Sequence, residues 1–286
     1  MKKKIPYKFF NKDYSVDHYS ELYKKLRFDL RYPANIKRLE IFINLLKKYK
    51  PKKIVDAGCG AGMPMVKISK LGFNIIGYDK SVNMVKEAKK NLKKYKLEEN
   101  LAFIDDFENP KKIKNNSFDC ILGMGAFFYS KNFFSTINNQ SKKLKKGGRL
   151  IFSLRNKLFD IATFNDYTIK FSNNLYETDK LKKNWKTKYK KLFTGFSNRK
   201  NFKLKNIDDE GVITQVHNPL TIKDEISAKT NLKCKGIYFY HFHAFPPEFE
   251  NHDQVYFRKE SFKIENPNDW RGNLIASGFV LDCIKN

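Results

Sequence analysis

The sequence predicts an α/β protein in which helices cover both faces of a mostly parallel sheet. Short apolar runs alternate with longer segments whose apolar residues recur at helical spacing. Glycine or proline separates several of these segments. A helix between successive strands is the arrangement that produces parallel pairing. The length of 286 residues suits one enlarged domain or a domain with a cap.

The predicted elements begin with two N-terminal helices, over 15–33 and 34–50. Seven apolar runs then predict strands, at 52–58, 73–79, 101–106, 117–125, 149–156, 233–245 and 274–286. Further helices are predicted at 62–72, 81–97, 132–148 and 221–232. Ser81 is the expected N-cap of its helix, Gly72 is expected to end the helix before it, and Gly147 and Gly148 are expected to end the helix that starts at 132.

The strand–helix alternation breaks after the fifth strand, at about residue 157, and resumes near residue 216. Within this interval, 178–206 holds eleven Lys and Arg residues against one Asp. The predicted segments are an N-terminal helical lid (1–50), a core (51–156), an inserted basic cap (157–215) and the C-terminal part of the core sheet (216–286).

The net charge of +27 raises the question of a nucleic-acid partner. Only eight of the 57 basic residues are Arg. The forked guanidinium group of Arg binds phosphates and recognises bases through paired hydrogen bonds. Asn, Ile, Phe and Tyr are also abundant, and AT-rich codons would supply these residues together with Lys. A nucleic-acid partner is therefore disfavoured, although this alternative stays open. The positive charge is better explained by an anionic small substrate or by lysines that are simply solvated at the surface.

The four cysteines, Cys59, Cys120, Cys234 and Cys283, are scattered without a CxxC pair or a metal-ligand spacing. We therefore expect reduced thiols, no metal site and a cytoplasmic protein. No run approaches the ~18 apolar residues of a membrane span, and the basic N-terminus lacks the apolar stretch of a signal peptide.

The stretch "KKIVDAGCGAGMPMVKISKLGFNIIGYDKS", residues 52–81, places a glycine-rich turn between a strand and a helix. Such a turn presents free backbone N–H groups to a ligand. Met63 stands where a dinucleotide-binding loop would have its third glycine, and no G-K-[ST] follows. Asp56 would repel a pyrophosphate, but its charge suits a ligand with an ammonium and a sulfonium group.

The pattern D-x-G-x-G-x-G from Asp56 to Gly62, with Asp79 ending the second strand, resembles the class I S-adenosylmethionine-dependent methyltransferases. The resemblance covers about 50–156 closely and the last two strands more loosely. It implies a Rossmann-like, doubly wound sheet of seven strands with an antiparallel last strand. It also implies S-adenosylmethionine as the cofactor.

The resemblance further implies roles for individual residues. Asp56 would lie near the methionine ammonium, and Asp79 would accept from both ribose hydroxyls. Asp106, or the adjacent Asp105, would accept from the adenine amino group beside the backbone N–H of Phe107. The implied cofactor-binding residues are Asp56, Gly58, Gly60, Gly62, Asp79, Lys80, Met84, Asp106, Phe107, Gly123 and Met124.

The acceptor is expected at the carboxyl ends of the strands, where ligands bind in open α/β sheets. Arg155 follows the fifth strand and suits a carboxylate or phosphate, with a surface ion pair as the alternative. After the fourth strand, "GMGAFFYS" lacks the [DNS]-P-P-[YF] motif of amino methyltransferases that act on bases. This absence argues against a nucleobase amino group as the acceptor.

The stretch "FYHFHAFPPEFE" (239–250) places His241 and His243 on one face of a strand. No third ligand has a suitable spacing for a metal, so one of them is a candidate general base with a pKa near neutrality. A structural histidine is the alternative. Tyr238, Tyr240 and Phe242 are expected on the core face, and Tyr14, Tyr19, Arg31 and Tyr32 in the N-terminal lid.

The sequence thus predicts a methyltransferase that methylates oxygen or nitrogen of a small molecule, such as a sugar or another anionic metabolite. Methyl transfer from sulfonium depends mainly on alignment of the nucleophile. One alternative is an RNA or protein methyltransferase that docks through the Lys-rich insert. Another is a cofactor-binding protein without catalysis. The oligomeric state is not predicted.

Overall fold

The computed structural model describes residues 10, 21, 23, 26–194 and 214–286. A mixed sheet forms its centre, with the strand order β3-β2-β1-β4-β5-β8-β7 and with β6 paired to β5. The strands are β1 (Ile54–Ala57), β2 (Ile75–Asp79), β3 (Ala102–Ile104), β4 (Phe118–Gly123), β5 (Leu144–Asn156), β6 (Val216–His217), β7 (Leu232–Phe242) and β8 (Ala276–Lys285). All pairs are parallel except those that β8 makes with β5 and β7. The predicted fold class is confirmed, and the short β6 is an addition to the predicted strands.

The described helices lie before, between and after these strands. They are α1 (Ala34–Tyr49), α2 (Met63–Ser69), α3 (Val82–Lys94), α4 (Phe133–Lys143), α5 (Asp166–Leu175), α6 (Lys183–Lys191), α7 (Ile222–Lys229), α8 (Gln254–Lys263) and α9 (Gly272–Ile275). Ser81 is the N-cap of α3, as predicted, because its side-chain oxygen accepts from the backbone N–H of Met84. In the part of the chain that the structure describes, no helix is both long and apolar enough to cross a membrane.

Several predictions fall on residues that the structure does not describe. Within the predicted helix over 15–33, residues 15–20, 22, 24 and 25 lie outside the described residues, as do Tyr14 and Tyr19. The prediction is wrong for 26–33, which are turn and irregular structure up to Pro33. The second N-terminal helix is present as α1. The described part of the insert holds α5 and α6, neither of which buries a residue. The division into four segments stays a prediction.

The predicted end of α4 is wrong. The helix ends at Lys143, and β5 already begins at Leu144, which pairs with Phe118. The next pair along the strands joins Cys120 to Arg149, so the residues between Leu144 and Arg149 bulge out of the ladder. Leu144 is fully buried, and this burial favours strand pairing over another turn of helix.

The core lies on both faces of the sheet. On one face, Phe42 and Leu46 of α1 pack with Ile151 of β5. On the other, Phe127 packs with Phe152 of β5. Successive β5 residues thus point to opposite faces, as the pleat requires, and each fully buried large side chain contributes about 1.5–3 kcal/mol.

The end of β7 departs from the predicted alternation. Tyr238 and Tyr240 pack in the cluster that contains α1, whereas Phe242 packs in the opposite cluster with Phe279. His241 lies between them with φ of 61°, a left-handed conformation that breaks the regular alternation of side chains. The expectation that Phe242 shares a face with the two tyrosines is therefore wrong.

Cys234 and Cys283 are opposite each other on β7 and β8 and form a disulfide. Cys59 and Cys120 are buried free thiols. The expectation of four reduced thiols is thus wrong for one pair. Because 49 residues separate the two cysteines in sequence, only the strand register brings them together.

Candidate cofactor and acceptor site

A glycine loop at the carboxyl end of β1 leads into α2, at the point where the strand order reverses between β2 and β4. The backbone N–H groups of Gly58 and Cys59 both donate to the Tyr78 carbonyl, which ties the loop to β2. Gly62 has φ of 75°, and a Cβ there would lie 2.9 Å from the Ala88 Cβ. A Cβ on Gly60 would meet nothing within 4 Å, so this glycine borders open space. The loop therefore forms a backbone cradle with one open side.

Asp79 ends β2 and holds the open side of this cradle. One carboxylate oxygen accepts from the Gly60 N–H at 2.9 Å, and the other accepts from the Ser81 N–H at 2.8 Å. A carboxylate oxygen has two lone pairs, so each keeps capacity for a further donor. Burial raises the pKa of Asp79, and the backbone donors oppose that rise.

Asp56 in β1 is 1% exposed, and neither of its carboxylate oxygens has a hydrogen-bond partner. Burial, followed by the nearby Asp79, raises the pKa of Asp56 to about 8, while Arg38 acts in the opposite direction. Buried polar groups are normally paired, because an unpaired group loses its hydration without compensation. The two free oxygens therefore favour a cationic ligand at this position.

Arg38 of α1 brings a buried positive charge to the same site, and the sequence interpretation missed it. Its Nη2 donates to the Tyr23 hydroxyl at 2.9 Å and to the Asn35 side chain at 2.6 Å, while its Nε has no partner. A Cβ on Gly125, just after β4, would lie 2.6 Å from its Nη1. Once Asp56 ionises, it and Arg38 offer opposite charges to a ligand that carries both an ammonium and a carboxylate.

The sequence contains a signal for Arg38. Helix α1 buries Leu39, Phe42 and Leu46, and Arg38 is buried with them on the same side of the helix. A charged residue on an apolar helix face indicates a partner or ligand in the core, because isolated buried charges are costly.

Two adjacent carboxylates follow β3, and the structure separates their roles. Asp105 accepts from the backbone N–H groups of Asp106, Lys111 and Lys112, and so braces the loop. Asp106 forms an ion pair with Lys80 at 2.5 Å and remains partly exposed. Asp106 is thus better placed than Asp105 to meet a ligand in the cradle.

Apolar side chains surround the predicted adenosine region. Met84 is buried and packs with Ala61 and with Phe10 of the N-terminal segment. The Ser81 hydroxyl donates to the Phe10 carbonyl at 3.2 Å, which holds Phe10 against the start of α3. Phe107 stacks on Phe127 with ring centroids 6.0 Å apart.

The residues that end β4 fit closely against their neighbours. A Cβ on Gly123 would lie 2.8 Å from the Phe127 ring, so only glycine leaves room for that ring. Met124 is buried in the cluster that contains α1. Gly123 is the last residue of β4, the strand next to β1, and Met124 follows it, so both lie beside the cradle.

Arg155 lies near the end of β5, where the guanidinium is 4.9 Å from the centre of the Phe128 ring and 5.9 Å from that of Tyr129. These are cation–π distances. The predicted role of Arg155 in binding an anionic acceptor stays a prediction.

His241 and His243 lie at the end of β7, on the same edge of the sheet as the ends of β1, β4 and β5. Their ring centroids are 4.7 Å apart, and we call them the histidine pair. His241 shares a 2.6 Å hydrogen bond with the Ser277 hydroxyl and stacks on Tyr32, whereas neither ring nitrogen of His243 has a partner. Burial lowers the pKa of His241 to about 4, and burial beside His241 lowers that of His243 well below its usual range, so the predicted pKa near neutrality is wrong.

Comparison of the sequence with known proteins shows which family the chain resembles. A family model described as "Methyltransferase domain" matches residues 48–209. A ubiquinone biosynthesis O-methyltransferase of Pelagibacter ubique is 32% identical over 120 residues, which are 41% of this chain and 48% of that protein. An uncharacterized protein of Haemophilus influenzae is 31% identical over 144 residues, 49% of this chain and 56% of that protein. The chain thus spans about half the length of these relatives.

The fold is shared with solved structures across nearly the whole chain. Magnesium protoporphyrin IX methyltransferase from Synechocystis, with bound S-adenosylhomocysteine, has a TM-score of 0.57 at 13% identity, with 99% of both chains covered. A possible histamine N-methyltransferase from Thermotoga maritima has a TM-score of 0.56 at 16% identity, with 98% of this chain and 100% of that chain covered. At these identities the likeness shows the fold alone.

The region matched by the family model is more than half of the chain, and it contains Asp56, the glycine loop and Asp79. The unpaired oxygens of Asp56 and the open side at Gly60 fit a cationic nucleoside ligand. The chain therefore belongs to the methyltransferase-domain family, within the class I fold.

Proposed function

We propose that this chain is an S-adenosylmethionine-dependent enzyme and that it methylates an oxygen atom of a small-molecule acceptor. The acceptor would bind between the glycine loop and the histidine pair. The observation that carries the proposal is the buried carboxylate of Asp56, whose two oxygens have no partner beside the buried Arg38. Relatives named as O-methyltransferases support oxygen as the methylated atom.

Different residues of the site would bind different parts of the cofactor. Asp56 would hold the methionine ammonium, and Arg38 would hold the carboxylate of the same group. Asp79 would accept from both ribose hydroxyls with the lone pairs that Gly60 and Ser81 leave free. When bound, S-adenosylmethionine supplies a methyl group on a cationic sulfur.

The chain's own contribution to the reaction is orientation and exclusion of water. Phe10 and Met84 pack together with Ala61 of the glycine loop, where they would exclude water from a bound cofactor. We place His241 in contact with the acceptor, as a hydrogen-bonding group fixed by Ser277. A pKa of about 4 makes its ring a weak base at neutral pH, so orientation accounts for its position better than proton abstraction does.

The test is methyl transfer to fractionated extract. Purified enzyme and S-adenosylmethionine are incubated with separate small-molecule, RNA and protein fractions, and each fraction is analysed for a gain of ~14 Da, one methyl replacing one hydrogen in the displacement. We expect the gain in the small-molecule fraction, and its absence with Asp79→Ala. A gain confined to RNA or protein would favour docking through the Lys-rich insert, and no gain despite cofactor binding would favour a non-catalytic protein.

Cofactor binding should release a proton. The pKa of Asp56 is raised to about 8, so this carboxyl is mostly protonated at pH 7, and it must ionise to pair with an ammonium. Affinity should therefore rise by up to about tenfold per pH unit from pH 6 towards pH 8, above which the ligand's amino group deprotonates. Calorimetry at pH 7 in buffers of different ionisation enthalpy should detect a net release of up to about one proton.

The matched control for this proton release is Asp56→Asn, which removes the titrating group and keeps its shape. This variant should bind the cofactor more weakly and lose the part of the proton release that comes from Asp56. An affinity of the unsubstituted enzyme that does not change between pH 6 and pH 8 would contradict the assignment of Asp56 to the ammonium.

A further inference from the structure

The histidine pair connects to the surface through a continuous series of aromatic rings. The His243 ring lies 4.7 Å from the Phe159 ring and 5.6 Å from the Phe257 ring. Phe257 in turn lies 6.4 Å from Phe245. These contacts lead from the buried imidazoles to the segment that follows β7.

Three aromatic side chains of this segment and of α8 are exposed together. Phe245 is 36% exposed, Phe249 53% and Tyr256 55%. Phe245 stacks on Tyr256 at 6.1 Å and contacts Phe249 at 6.3 Å. We call these three residues, with Phe257, the aromatic rim. A cluster of exposed aromatic rings marks a binding surface more often than isolated exposed residues do.

The charge near the rim differs from that of the whole chain. Residues 244–257 contain three acidic residues and no Lys or Arg, although the chain carries a net charge of +27. Glu250 is paired with the buried Arg258 at 2.5 Å, and Asp253 accepts from the Tyr256 N–H at the start of α8. This segment therefore offers no cation to a carboxylate or phosphate group.

The histidine pair offers polar contacts to a neutral ligand. Both ring nitrogens of His243 are buried without a partner. A neutral imidazole has one donor and one acceptor, which suit a hydroxyl or a carbonyl group. Burial keeps both rings neutral, so the pair does not balance the charge of an anion.

The distance between the two halves of the site sets the length of the acceptor. Three strand spacings separate β4, beside the cradle, from β7, which ends at the histidine pair. Neighbouring strands lie about 4.8 Å apart, so the separation is about 14 Å. A molecule that reaches from the cradle to the aromatic rim must therefore be elongated.

We propose that the acceptor is an elongated, uncharged, apolar molecule whose tail lies against the aromatic rim and whose polar substituent contacts the histidine pair. This inference rests on the proposed small-molecule methyltransferase and names its substrate class. It disfavours the sugar or anionic metabolite that the sequence alone favours, since the cationic side chain predicted to bind such an anion, Arg155, lies over Phe128 and Tyr129.

The test uses matched probes: octyl 3,4-dihydroxybenzoate, its methyl ester and the free acid. These probes share the hydroxylated ring and differ in tail length and charge. Binding to the full chain is measured with S-adenosylhomocysteine present, and methyl transfer is measured separately with S-adenosylmethionine. We expect the octyl ester to bind at least about tenfold more tightly than either of the other two probes, since each buried methylene adds to affinity.

The variant Tyr256→Asp places a charge on the rim and should weaken binding of the octyl ester by about tenfold. Tyr167→Asp is the matched control, because Tyr167 is 58% exposed on α5, outside the rim. Phe249→Ser is a second rim variant with an equally exposed side chain. The inference is overturned if the octyl ester does not bind, if the free acid binds as tightly, or if both rim variants bind like the control.

Failure of the proposed function gives a different result. Suppose that the octyl ester binds in a rim-dependent way but no probe or extract fraction is methylated. That result would contradict the proposed catalytic function and would still support the binding site at the aromatic rim. Methylation of the free acid or of a nucleotide sugar, with no effect of the rim variants, would support the proposed methyltransferase activity. It would overturn the proposed substrate class.

Discussion

Asp79→Ala is expected to weaken the binding of S-adenosylmethionine and S-adenosylhomocysteine by at least about 100-fold. Two hydrogen bonds to a carboxylate contribute about 1.5 kcal/mol each at the low end of their range, and each 1.4 kcal/mol is a factor of ten. The same substitution removes the acceptor of the Gly60 N–H, which donates to the Asp79 carboxylate at 2.9 Å. The cradle therefore also loses one of its stabilising hydrogen bonds. Isothermal titration calorimetry measures the effect directly.

Asp119→Ala provides the matched control. Asp119 lies at the opposite end of the sheet, where it accepts from the Lys53 N–H at 2.8 Å and pairs with Lys145 at 2.7 Å. Its removal should lower the free energy of unfolding by about 1 kcal/mol and leave cofactor affinity unchanged. If Asp79→Ala folds normally and binds cofactor within threefold of the unsubstituted enzyme, the placement of the ribose at Asp79 is wrong.

The succession of strands and helices along the chain was predictable because each element is marked by its own local pattern of apolar residues and by glycine or proline between elements. The glycine loop, Asp56 and Asp79 were predictable for the same reason, since they lie within one strand–turn–helix–strand unit. The end of α4 was not predictable. Leu144 is compatible with helix or strand, and its pairing with Phe118 depends on a strand that lies earlier in the chain.

The missing parts of the site are those that tertiary packing brings together. Arg38 precedes Asp56 by a helix and a loop, and only the docking of α1 places its guanidinium against Gly125. The disulfide between Cys234 and Cys283 depends on the register of two antiparallel strands. A one-residue shift of that register would separate the two cysteines.

The properties of the histidine pair also depend on packing that the sequence does not specify. Alternation predicts that His241 and His243 share a face, and the structure does place their rings in contact. Their low pKa values arise from burial, with Tyr32 stacked on His241 and Phe159 against His243. These two aromatic residues come from distant parts of the chain, so the sequence alone indicated a histidine of ordinary basicity.

Arg38→Met should reduce affinity for S-adenosylmethionine by about 10- to 100-fold and should leave affinity for its decarboxylated analogue unchanged or higher. A hydrogen bond to a charged partner contributes about 1.5–3 kcal/mol, which sets this range. The analogue lacks the carboxylate, so it gains nothing from Arg38 and leaves that guanidinium buried without an anion. The ratio of the two affinities therefore isolates the contact between Arg38 and the carboxylate from any general loss of packing.

Arg27→Met is the matched control for that ratio, because Arg27 is exposed and pairs only with its neighbour Asp29 among the contacts that the structure describes. It should change neither affinity. In Arg38→Met, Asp56 also loses the positive charge that opposes the rise of its pKa, so proton release on cofactor binding should persist up to higher pH. Equal losses for both ligands would mean that Arg38 supports the fold of the cradle and does not contact the carboxylate. A loss confined to S-adenosylmethionine would establish that the carboxylate of the amino-acid group is recognised through α1, beside the ammonium contact in β1 that Asp56→Asn tests.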